Sequence, residues 1–408
     1  MIKVLVDARI DSNKSGGIQQ ALIGFAETTK FFPKSEYKFA WLLSTLNKDF
    51  LDGVLPEEST KLYAPVSSPL KTSIVAILKR SVIGILLLKL IRRTVFFRFQ
   101  LPEMFTVVKE WNPDLIHFPT QFGFRTSLPN IYHPHDFQHL HLPELFSKET
   151  IEVRNLGYGQ MIQQASGVIV GNQWTLDDFR NLYPNYSDIG LNVPVFPQPL
   201  ENQPPSGSIS IPRSKYLFYP ASFWPHKNHL NLLKSLRILI DEGFPLELWL
   251  SGTNLSDSRE LTELIYSFNL NLNVKVLGYL TPSQLATAYE NAFAMIMPSF
   301  FESESLPIWE AFALGVPVIT SKITALPAQV GEAALLFDPG DPRDMAIQIA
   351  KLLNDDLLRK SLVLKGSERI TKLTPANTAS GYRYAYRRAL NLVHDNHDLE
   401  WEKIGFRF

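Results

Sequence analysis

The stretch from Ala294 to Ile319 reads AMIMPSFFESESLPIWEAFALGVPVI and carries the strongest structural signal in the chain. It predicts an apolar strand that ends at Met297, a polar loop, a short helix and a second strand. Pro307 suits the first helical turn, where no backbone N–H is needed, and Gly315 suits the end of the helix. This order of elements is typical of a βα unit in a parallel sheet.

Two carboxylates, Glu302 and Glu310, lie eight positions apart across the junction of this loop and helix. Four apolar residues fall at helical spacing and are expected to face the core: Leu306, Trp309, Ala313 and Leu314. Glu310 lies beside this apolar stripe, and a buried charge needs a partner. It is either an acid stabilised by the positive start of the helix or an acceptor for a ligand diol, as acids are for nucleotide riboses.

Composition restricts the class of protein. The chain has 408 residues, of which 45% are hydrophobic and 20% charged, enough for two domains with ordinary cores. Forty basic residues balance forty acidic ones, so no overall field attracts nucleic acid, and the lack of Cys excludes disulfides and thiolate chemistry. Because Met1 runs directly into a strand pattern, without a signal-peptide layout, we expect a cytoplasmic protein.

Residues 71–101 are basic and strongly apolar. Seven cationic residues are interleaved with Ile, Leu, Val and Phe, and no acidic residue lies among them: Lys71, Lys79, Arg80, Lys89, Arg92, Arg93 and Arg98. Two interpretations remain open. The segment lies on an anionic membrane surface, at the inner face of the membrane, or it forms helices of the first domain whose cationic stems cover apolar surface.

Strand and helix patterns alternate in both halves, which predicts an α/β fold of two Rossmann-like domains facing a cleft. A Pro-rich linker at residues 194–213 separates an N-terminal domain, residues 1–193, from a C-terminal domain, residues 214–374. Residues 375–408 are expected to form a C-terminal helix and tail that pack back on the N-terminal domain. Ligands of such sheets bind at the carboxyl ends of the strands.

Two helix starts are candidate anion sites. Gly16 and Gly17 open the helix after the first strand, where backbone N–H groups can approach an anion closely. Lys227 lies at the start of a later helix, where a cation is on the unfavourable end of the dipole. An anion shared by the lysine and the free N–H groups would remove this conflict, whereas a solvated surface lysine is the simpler interpretation.

Four histidines, His133, His135, His139 and His141, form two H-x-H pairs. This spacing could bind a metal ion, although such sites usually recruit further ligands from distant strands. The His135-Asp136 pair at the end of a predicted strand is better interpreted as a loop that contacts a ligand.

The stretch PSFFESESLPIWEAFALGVPVI resembles the E-x7-E signature of retaining glycosyltransferases of family 4, also described as glycosyl transferases group 1, which have the GT-B fold. The resemblance extends over nearly the whole chain: the Gly16-Gly17 loop, the His135-Asp136 loop, the helix start at Lys227, the VLGYL segment and DPGDP. It implies a nucleotide-diphospho-sugar donor held mainly by the C-terminal domain and an acceptor on the N-terminal domain.

The resemblance also implies roles for single residues. His135, Glu302 and Lys227 would be catalytic, with His135 near the scissile bond and Lys227 on the pyrophosphate. Glu302 would face the sugar hydroxyls and Glu310 the ribose hydroxyls, while the amide of Gly17 would approach the phosphate. The full donor-binding set implied in this way is Gly16, Gly17, Ser222, Lys227, Glu302, Ser303, Ser305, Leu306 and Glu310.

The chain departs from the family pattern at two places. Many members have an Arg a few residues before the lysine, where this chain has Ala221-Ser222. Many members also read E-G-F-G after the first acid, where this chain reads Glu302-Ser303-Glu304-Ser305. The first departure implies weaker or different neutralisation of the phosphates, and the second a different loop backbone around the sugar.

The expected function is therefore transfer of a hexose to a hydroxyl acceptor, such as a glycan or a lipid-linked saccharide, with retention at the anomeric carbon. The WPHKNH stretch resembles that of mannosyltransferases, and the chain has no D-x-D that would predict a metal-bound pyrophosphate, so no metal cofactor is expected. Three alternatives stay open: a GT-B-fold sugar-nucleotide epimerase, a non-catalytic sugar-nucleotide binder, and a metal-dependent hydrolase that uses the H-x-H pairs.

Overall fold

A computed structural model describes residues 1–10, 16–64, 102–197, 199–200, 209–212, 214–253, 255 and 258–393. The basic segment at residues 71–101 lies outside the described residues. The chain divides into two compact units. Unit 1 contains Met1–Val170, Leu176–Val193 and the segment that begins at Ala379, and unit 2 contains Gly171–Thr175 and Pro194–Thr378. The domain limits expected from the sequence stay a prediction.

Unit 1 is built on a parallel sheet of seven strands in the order β3-β2-β1-β4-β5-β6-β7. The central strands are mostly apolar and buried, as expected for a parallel sheet with helices on both faces. The strands are β1 (Ile2–Asp7), β2 (Tyr37–Ser44), β3 (Thr60–Ala64), β4 (Leu115–Phe118), β5 (Asn130–Tyr132), β6 (Gly167–Val170) and β7 (Gly190–Asn192).

In the described part of this unit, five α-helices alternate with the strands: α1 (Gly16–Thr29), α2 (Pro102–Trp111), α3 (Gln138–His141), α4 (Lys148–Gln164) and α5 (Gln173–Leu182). Short 3₁₀ helices span Pro143–Leu145 and Pro184–Ile189. The hydroxyl of Ser147 accepts the Thr150 N–H and caps the start of α4, which satisfies a donor that the helix itself leaves free.

Unit 2 is built on a parallel sheet of six strands in the order β10-β9-β8-β11-β12-β13. The strands are β8 (Lys215–Pro220), β9 (Leu246–Ser251), β10 (Val274–Gly278), β11 (Ala294–Met297), β12 (Val318–Ser321) and β13 (Ala334–Phe337). The helices are α6 (His229–Asp241), α7 (Arg259–Ser267), α8 (Pro282–Glu290), α9 (Leu306–Ala313), α10 (Leu326–Val330), α11 (Pro342–Asn354) and α12 (Asp356–Ile370).

The stretch from Ala294 to Ile319 forms β11, a loop, α9 and the start of β12, which confirms the predicted βα unit. The predicted apolar stripe was partly wrong, because Ala313 is exposed while Ile308, Ala311 and Phe312 are buried. These three residues recur at i, i+3 and i+4, and Trp309, which the prediction placed in the core, is buried beside them. The buried face of α9 is therefore rotated from the one inferred through Leu306 and Ala313.

The last helix, α13 (Pro375–Ala389), packs into the core of unit 1, as the sequence predicted. The hydroxyl of Tyr386 and Nδ1 of His117 lie 2.8 Å apart, and the rings of Phe25 and Tyr382 pack against His117. Burial lowers the pKa of His117 to about 3, so this imidazole is neutral. None of the described helices is long and apolar enough to cross a membrane.

Candidate donor site in unit 2

The strand order of unit 2 brings two distant loops together. Strands β8 and β11 are neighbours in the middle of the sheet. The chain continues from β8 to β9 toward one edge of the sheet and from β11 to β12 toward the other edge. Open α/β sheets bind ligands at such a switch point, outside the carboxyl ends of the strands. The segment with Lys227 follows β8, and the loop with Glu302 follows β11. The topology therefore places the two predicted motifs at one edge.

Lys227 and Glu302 form an ion pair. Nζ of Lys227 lies 2.5 Å from Oε1 of Glu302, although 75 positions separate them in the chain. The side chains are 19% and 10% exposed, so water screens this pair less than a surface pair. Two of the residues expected in the donor site are thus in direct contact.

The backbone around Lys227 is held by three hydrogen bonds. Lys227 ends a 3₁₀ helix over Pro225–Lys227, and its carbonyl accepts a 2.8 Å hydrogen bond from the Tyr219 hydroxyl. The next residue, Asn228, has a left-handed backbone with φ of 58°, a conformation that Asn tolerates better than most residues. The side-chain amide nitrogen of Asn228, Nδ2, donates to the carbonyls of Pro298 and Pro339, each at 2.8 Å. These contacts fix where the lysine leaves the backbone.

Glu310 is 7% exposed and has the partner that its position demands. The Tyr289 hydroxyl donates to Oε2 of Glu310 at 2.8 Å, which confirms that the carboxylate does not stay unpaired. Burial nevertheless raises the pKa of Glu310 to about 7, because the tyrosine offsets only part of the lost solvation. Tyr289 thus engages one of the two carboxylate oxygens, Oε2.

The loop between the two acids is held by side chains from outside it. The Thr324 hydroxyl accepts the Glu302 N–H at 3.3 Å and donates to the Glu302 carbonyl at 2.5 Å. The Gln329 amide accepts the Ser305 N–H at 3.0 Å and donates to the Ser305 carbonyl at 2.7 Å. The Asn172 amide donates to the Ser303 carbonyl. Sequence reasoning missed these three residues and Tyr289, since no motif marks them.

Glu304 occupies the position where this loop departs from the family pattern. Its carboxylate accepts a hydrogen bond from Nε1 of Trp309 at 3.4 Å and another from the backbone of Val195. Burial raises the pKa of Glu304 to about 8. A Cβ at Gly171 would lie 2.0 Å from its Oε2, so a larger residue at that position would require the carboxylate to move. The Glu304 side chain is thus held by contacts within unit 2.

The other residues expected to bind the donor lie around this edge. The hydroxyl of Ser222 lies 2.7 Å from that of Thr253, and Leu306 begins α9. Ser305 precedes α9 at the N-cap position, and its hydroxyl is buried without a hydrogen-bond partner among the described residues. These positions agree with the neighbourhood expected from the sequence, while their roles in binding stay a prediction.

The remaining predicted residues belong to unit 1. Helix α1 begins at Gly16, as expected, and a Cβ added to Gly17 would meet nothing within 4 Å. His135 has a φ of 66°, stacks on His133 with ring centroids 4.3 Å apart, and places Nε2 2.8 Å from the Pro119 carbonyl. Because a carbonyl only accepts, Nε2 carries the proton, and Nδ1 of the neutral ring is an acceptor.

The H-x-H pairs do not converge. His133 stacks on His135, whereas His139 contacts Asn155 at 3.0 Å and His141 contacts Asp178 at 2.8 Å. Within the described ranges, no group of three or more His, Cys, Asp or Glu side chains is placed to hold a metal ion. The metal-dependent hydrolase alternative gains no support from these positions.

Comparison with solved structures identifies the fold. A sucrose-phosphate synthase from Thermosynechococcus elongatus superposes with a TM-score of 0.67 at 17% identity over 96% of this chain and all of that one. Anabaena HepE, solved in complex with UDP and glucose, gives 0.65 at 16% identity over 95% of this chain and 99% of that one. At these identities the similarity establishes the fold, which is that of GT-B glycosyltransferases.

Comparisons with related sequences identify the class of enzyme. Residues 207–369 match the family described as Glycosyl transferases group 1, so this region is a domain of that kind. The O-antigen chain mannosyltransferase B of Escherichia coli is 25% identical over 277 residues, which cover 64% of this chain and 73% of that protein. The protein is a glycosyltransferase.

Proposed function

We propose that the protein transfers a hexose, mannose in the first instance, from a nucleotide-diphospho-sugar to a hydroxyl of a glycan or lipid-linked saccharide. We also propose that it belongs to family 4, uses Glu302 and Glu310 as its E-x7-E acids and retains the anomeric configuration. The preference for mannose is supported by the E. coli relative, which is named a mannosyltransferase. A UDP complex of a protein with the same fold supports a nucleotide donor.

The observation that carries this proposal is the contact between Lys227 and Glu302. A nucleotide-diphospho-sugar has a negatively charged diphosphate next to a sugar with several hydroxyl donors. A lysine can bind the diphosphate, and a neighbouring carboxylate can accept hydrogen bonds from the hydroxyls. In the structure each of the two charges neutralises the other. When the donor binds, Lys227 moves to the phosphates and the Glu302 carboxylate accepts hydrogen bonds from the sugar hydroxyls.

The barrier to transfer is departure of the nucleoside diphosphate from an oxocarbenium-like carbon. Lys227 stabilises the charge that develops on the leaving phosphate, which is usually the largest electrostatic contribution to such a reaction. Glu310 accepts the ribose hydroxyls through Oε1 while Tyr289 holds Oε2. Retention follows if the acceptor attacks from the face that the phosphate leaves, where a phosphate oxygen takes the acceptor's proton. This scheme needs no metal ion.

On unit 1, His135 supplies a neutral imidazole with Nδ1 as an acceptor. Burial lowers the pKa of His135, which keeps the ring neutral at physiological pH. We assign this nitrogen to a hydroxyl of the transferred sugar. The open space at Gly17 allows its amide to approach a phosphate oxygen.

The test is donor turnover by purified protein supplied with a panel of labelled nucleotide sugars and saccharide acceptors. Transfer of label to a new molecule supports a transferase, and analysis of the anomeric linkage tests retention. Lys227→Ala, Glu302→Ala and Glu310→Ala should each lower turnover at least about tenfold, since each removes a charged contact to the donor. Unchanged turnover in all three variants would contradict the assignment of the site.

The chain offers a matched control for the ion pair. Lys365 and Glu332 form an exposed pair at 2.9 Å in the same unit, with side chains 43% and 87% exposed. Exposed pairs contribute little to stability, so Lys365→Ala and Glu332→Ala should leave both the fold and the turnover unchanged. Circular dichroism of all variants separates loss of the site from loss of the fold.

A further inference from the structure

The side chains of Thr324 and Gln329 hydrogen-bond the backbone of the loop that carries Glu302 in the same way. Thr324 bonds both the N–H and the carbonyl of Glu302, and Gln329 bonds both the N–H and the carbonyl of Ser305. Each therefore takes up both backbone hydrogen-bonding groups of one loop residue. A loop normally leaves many of these groups to water, so its backbone stays adjustable. Here the two ends of the loop from Glu302 to Ser305 are fixed by side chains.

Thr324 makes its contacts from an unfavourable backbone conformation, with a φ of 46°. Six of the described non-glycine residues have positive φ; four are Asn and one is His, and Thr324 is the β-branched one. A positive φ is costly for a β-branched residue, whereas glycine adopts it freely. Glycine would lack the hydroxyl that bonds Glu302. Strain of this kind persists where the surroundings enforce it, and it clusters at functional sites.

Gln329 is braced in turn. The residue is 5% exposed on the short helix α10, and its own carbonyl accepts a 2.5 Å hydrogen bond from Nε of Arg369. A buried amide that uses both its oxygen and its nitrogen on one partner has little freedom to rotate. The Ser305 backbone therefore has a defined position relative to α10 and to the start of α9.

We propose that Thr324 and Gln329 are positioning residues for glycosyl transfer, which hold the loop backbone so that the Glu302 carboxylate meets the donor sugar. This inference rests on the proposed function. The two residues act through the loop and touch no substrate themselves. A small displacement of a group that contacts the reacting sugar is costly, because catalysis depends on a near-attack geometry.

The test compares Thr324→Gly with Thr324→Ser. The glycine variant relieves the strained φ but loses both hydrogen bonds, while serine keeps the hydroxyl. We expect Thr324→Gly to lower kcat at least 10-fold, with KM for the donor changed less than 3-fold and a melting temperature no lower than that of the wild type. Thr324→Ser should keep at least a third of the wild-type kcat.

If Thr324 had a purely structural role, loss of activity would go together with loss of stability. The melting temperature of Thr324→Gly would fall together with its activity, and that result would overturn the inference. Wild-type kcat in Thr324→Gly would also overturn it. Gln329→Leu and Gln329→Glu provide a second pair: leucine removes both hydrogen bonds, and glutamate keeps only an acceptor. Both should lower kcat more than they raise KM, and unchanged kcat in both would contradict the role of Gln329.

Binding of UDP and GDP, measured by calorimetry, separates this inference from the proposed function. A nucleoside diphosphate lacks the sugar that Glu302 faces, so Thr324→Gly should bind the better of the two within about threefold of the wild type. If the wild type transfers sugar and Thr324→Gly transfers it equally well, the positioning role fails alone. If the wild type transfers no sugar from any donor, the proposed function fails and this inference fails with it.

Discussion

Replacing Glu310 with Gln should stabilise the protein at alkaline pH. Burial raises the pKa of Glu310 from an ordinary value of 4.5 to about 7, so the folded state holds its proton more tightly than the unfolded state does. Between these two values, stability falls as the pH rises, because folding disfavours the charged form. Above pH 7 the ionised side chain costs the fold about 3 kcal/mol, from a shift of about 2.5 units at 1.36 kcal/mol each.

The neutral amide of the Glu310→Gln variant escapes this cost. Linkage gives the variant an advantage in the free energy of unfolding of about 1 kcal/mol at pH 5 and about 3 kcal/mol at pH 9, a change of about 2 kcal/mol. Any constant difference in packing or hydrogen bonding cancels in this change. The Tyr289 hydroxyl can still donate to the amide oxygen of the variant, so the contact at 2.8 Å is preserved in kind.

The measurement is urea unfolding of the full chain, wild type and variant, at intervals from pH 5 to pH 9. An advantage that grows toward alkaline pH supports the buried, protonatable carboxylate. A difference that stays constant across this range would refute the reasoning, since Glu310 would then ionise as freely in the folded state as in the unfolded one. Under the proposed function, the same variant should bind UDP or GDP more weakly at pH 8, because its neutral amide would not replace the charge that we assign to the ribose hydroxyls.

Three further substitutions test the structure around the site and the core. Gly171→Ala should lower the free energy of unfolding by about 1–3 kcal/mol, because its Cβ would lie 2.0 Å from Oε2 of Glu304. Adding Glu304→Ala should restore the free energy of unfolding. Tyr386→Phe should cost about 1–3 kcal/mol in urea unfolding by leaving Nδ1 of His117 unpaired. Asn228→Ala should lower the melting temperature more than Asn228→Gly, because only glycine adopts the φ of 58° freely; equal losses would contradict a backbone role.

The local pattern was enough to predict the βα unit around β11, since Pro307 and Gly315 limit a helix that lies between two apolar runs. It also indicated that Glu310 needs a partner, because the spacing placed a charge beside an apolar stripe. The identity of that partner is a different matter. Tyr289 lies on α8, and the packing of α8 and α9 brings the two together. Nothing in the residues near Glu310 predicts which side chain arrives there.

The same limit applies to the loop between the acids. Thr324 and Gln329 follow β12 by a few residues and reach Glu302 and Ser305 because β11 and β12 are paired neighbours. Threonine and glutamine carry no motif, and the positive φ at Thr324 has no sequence signal, since β-branched residues are the last ones expected there. These two contacts could be found only from the structure, because they depend on the pairing of β11 with β12 and on the conformation of the loops that follow the two strands.

The start of α6 shows why the pairing of Lys227 matters. The first turn of α6 has no acidic residue, and the side chain of Asn228 donates to two carbonyls and caps no helical N–H. The helix dipole and the Lys227 ammonium thus add positive potential at one place. In the described part of this site, the Glu302 carboxylate lies against that cation as a counter-charge. A diphosphate carries more negative charge than one carboxylate and can also accept from the free N–H groups. Under the proposed function we therefore expect a bound diphosphate to displace Glu302 from the lysine, so that the acid can accept hydrogen bonds from the hydroxyls of the sugar.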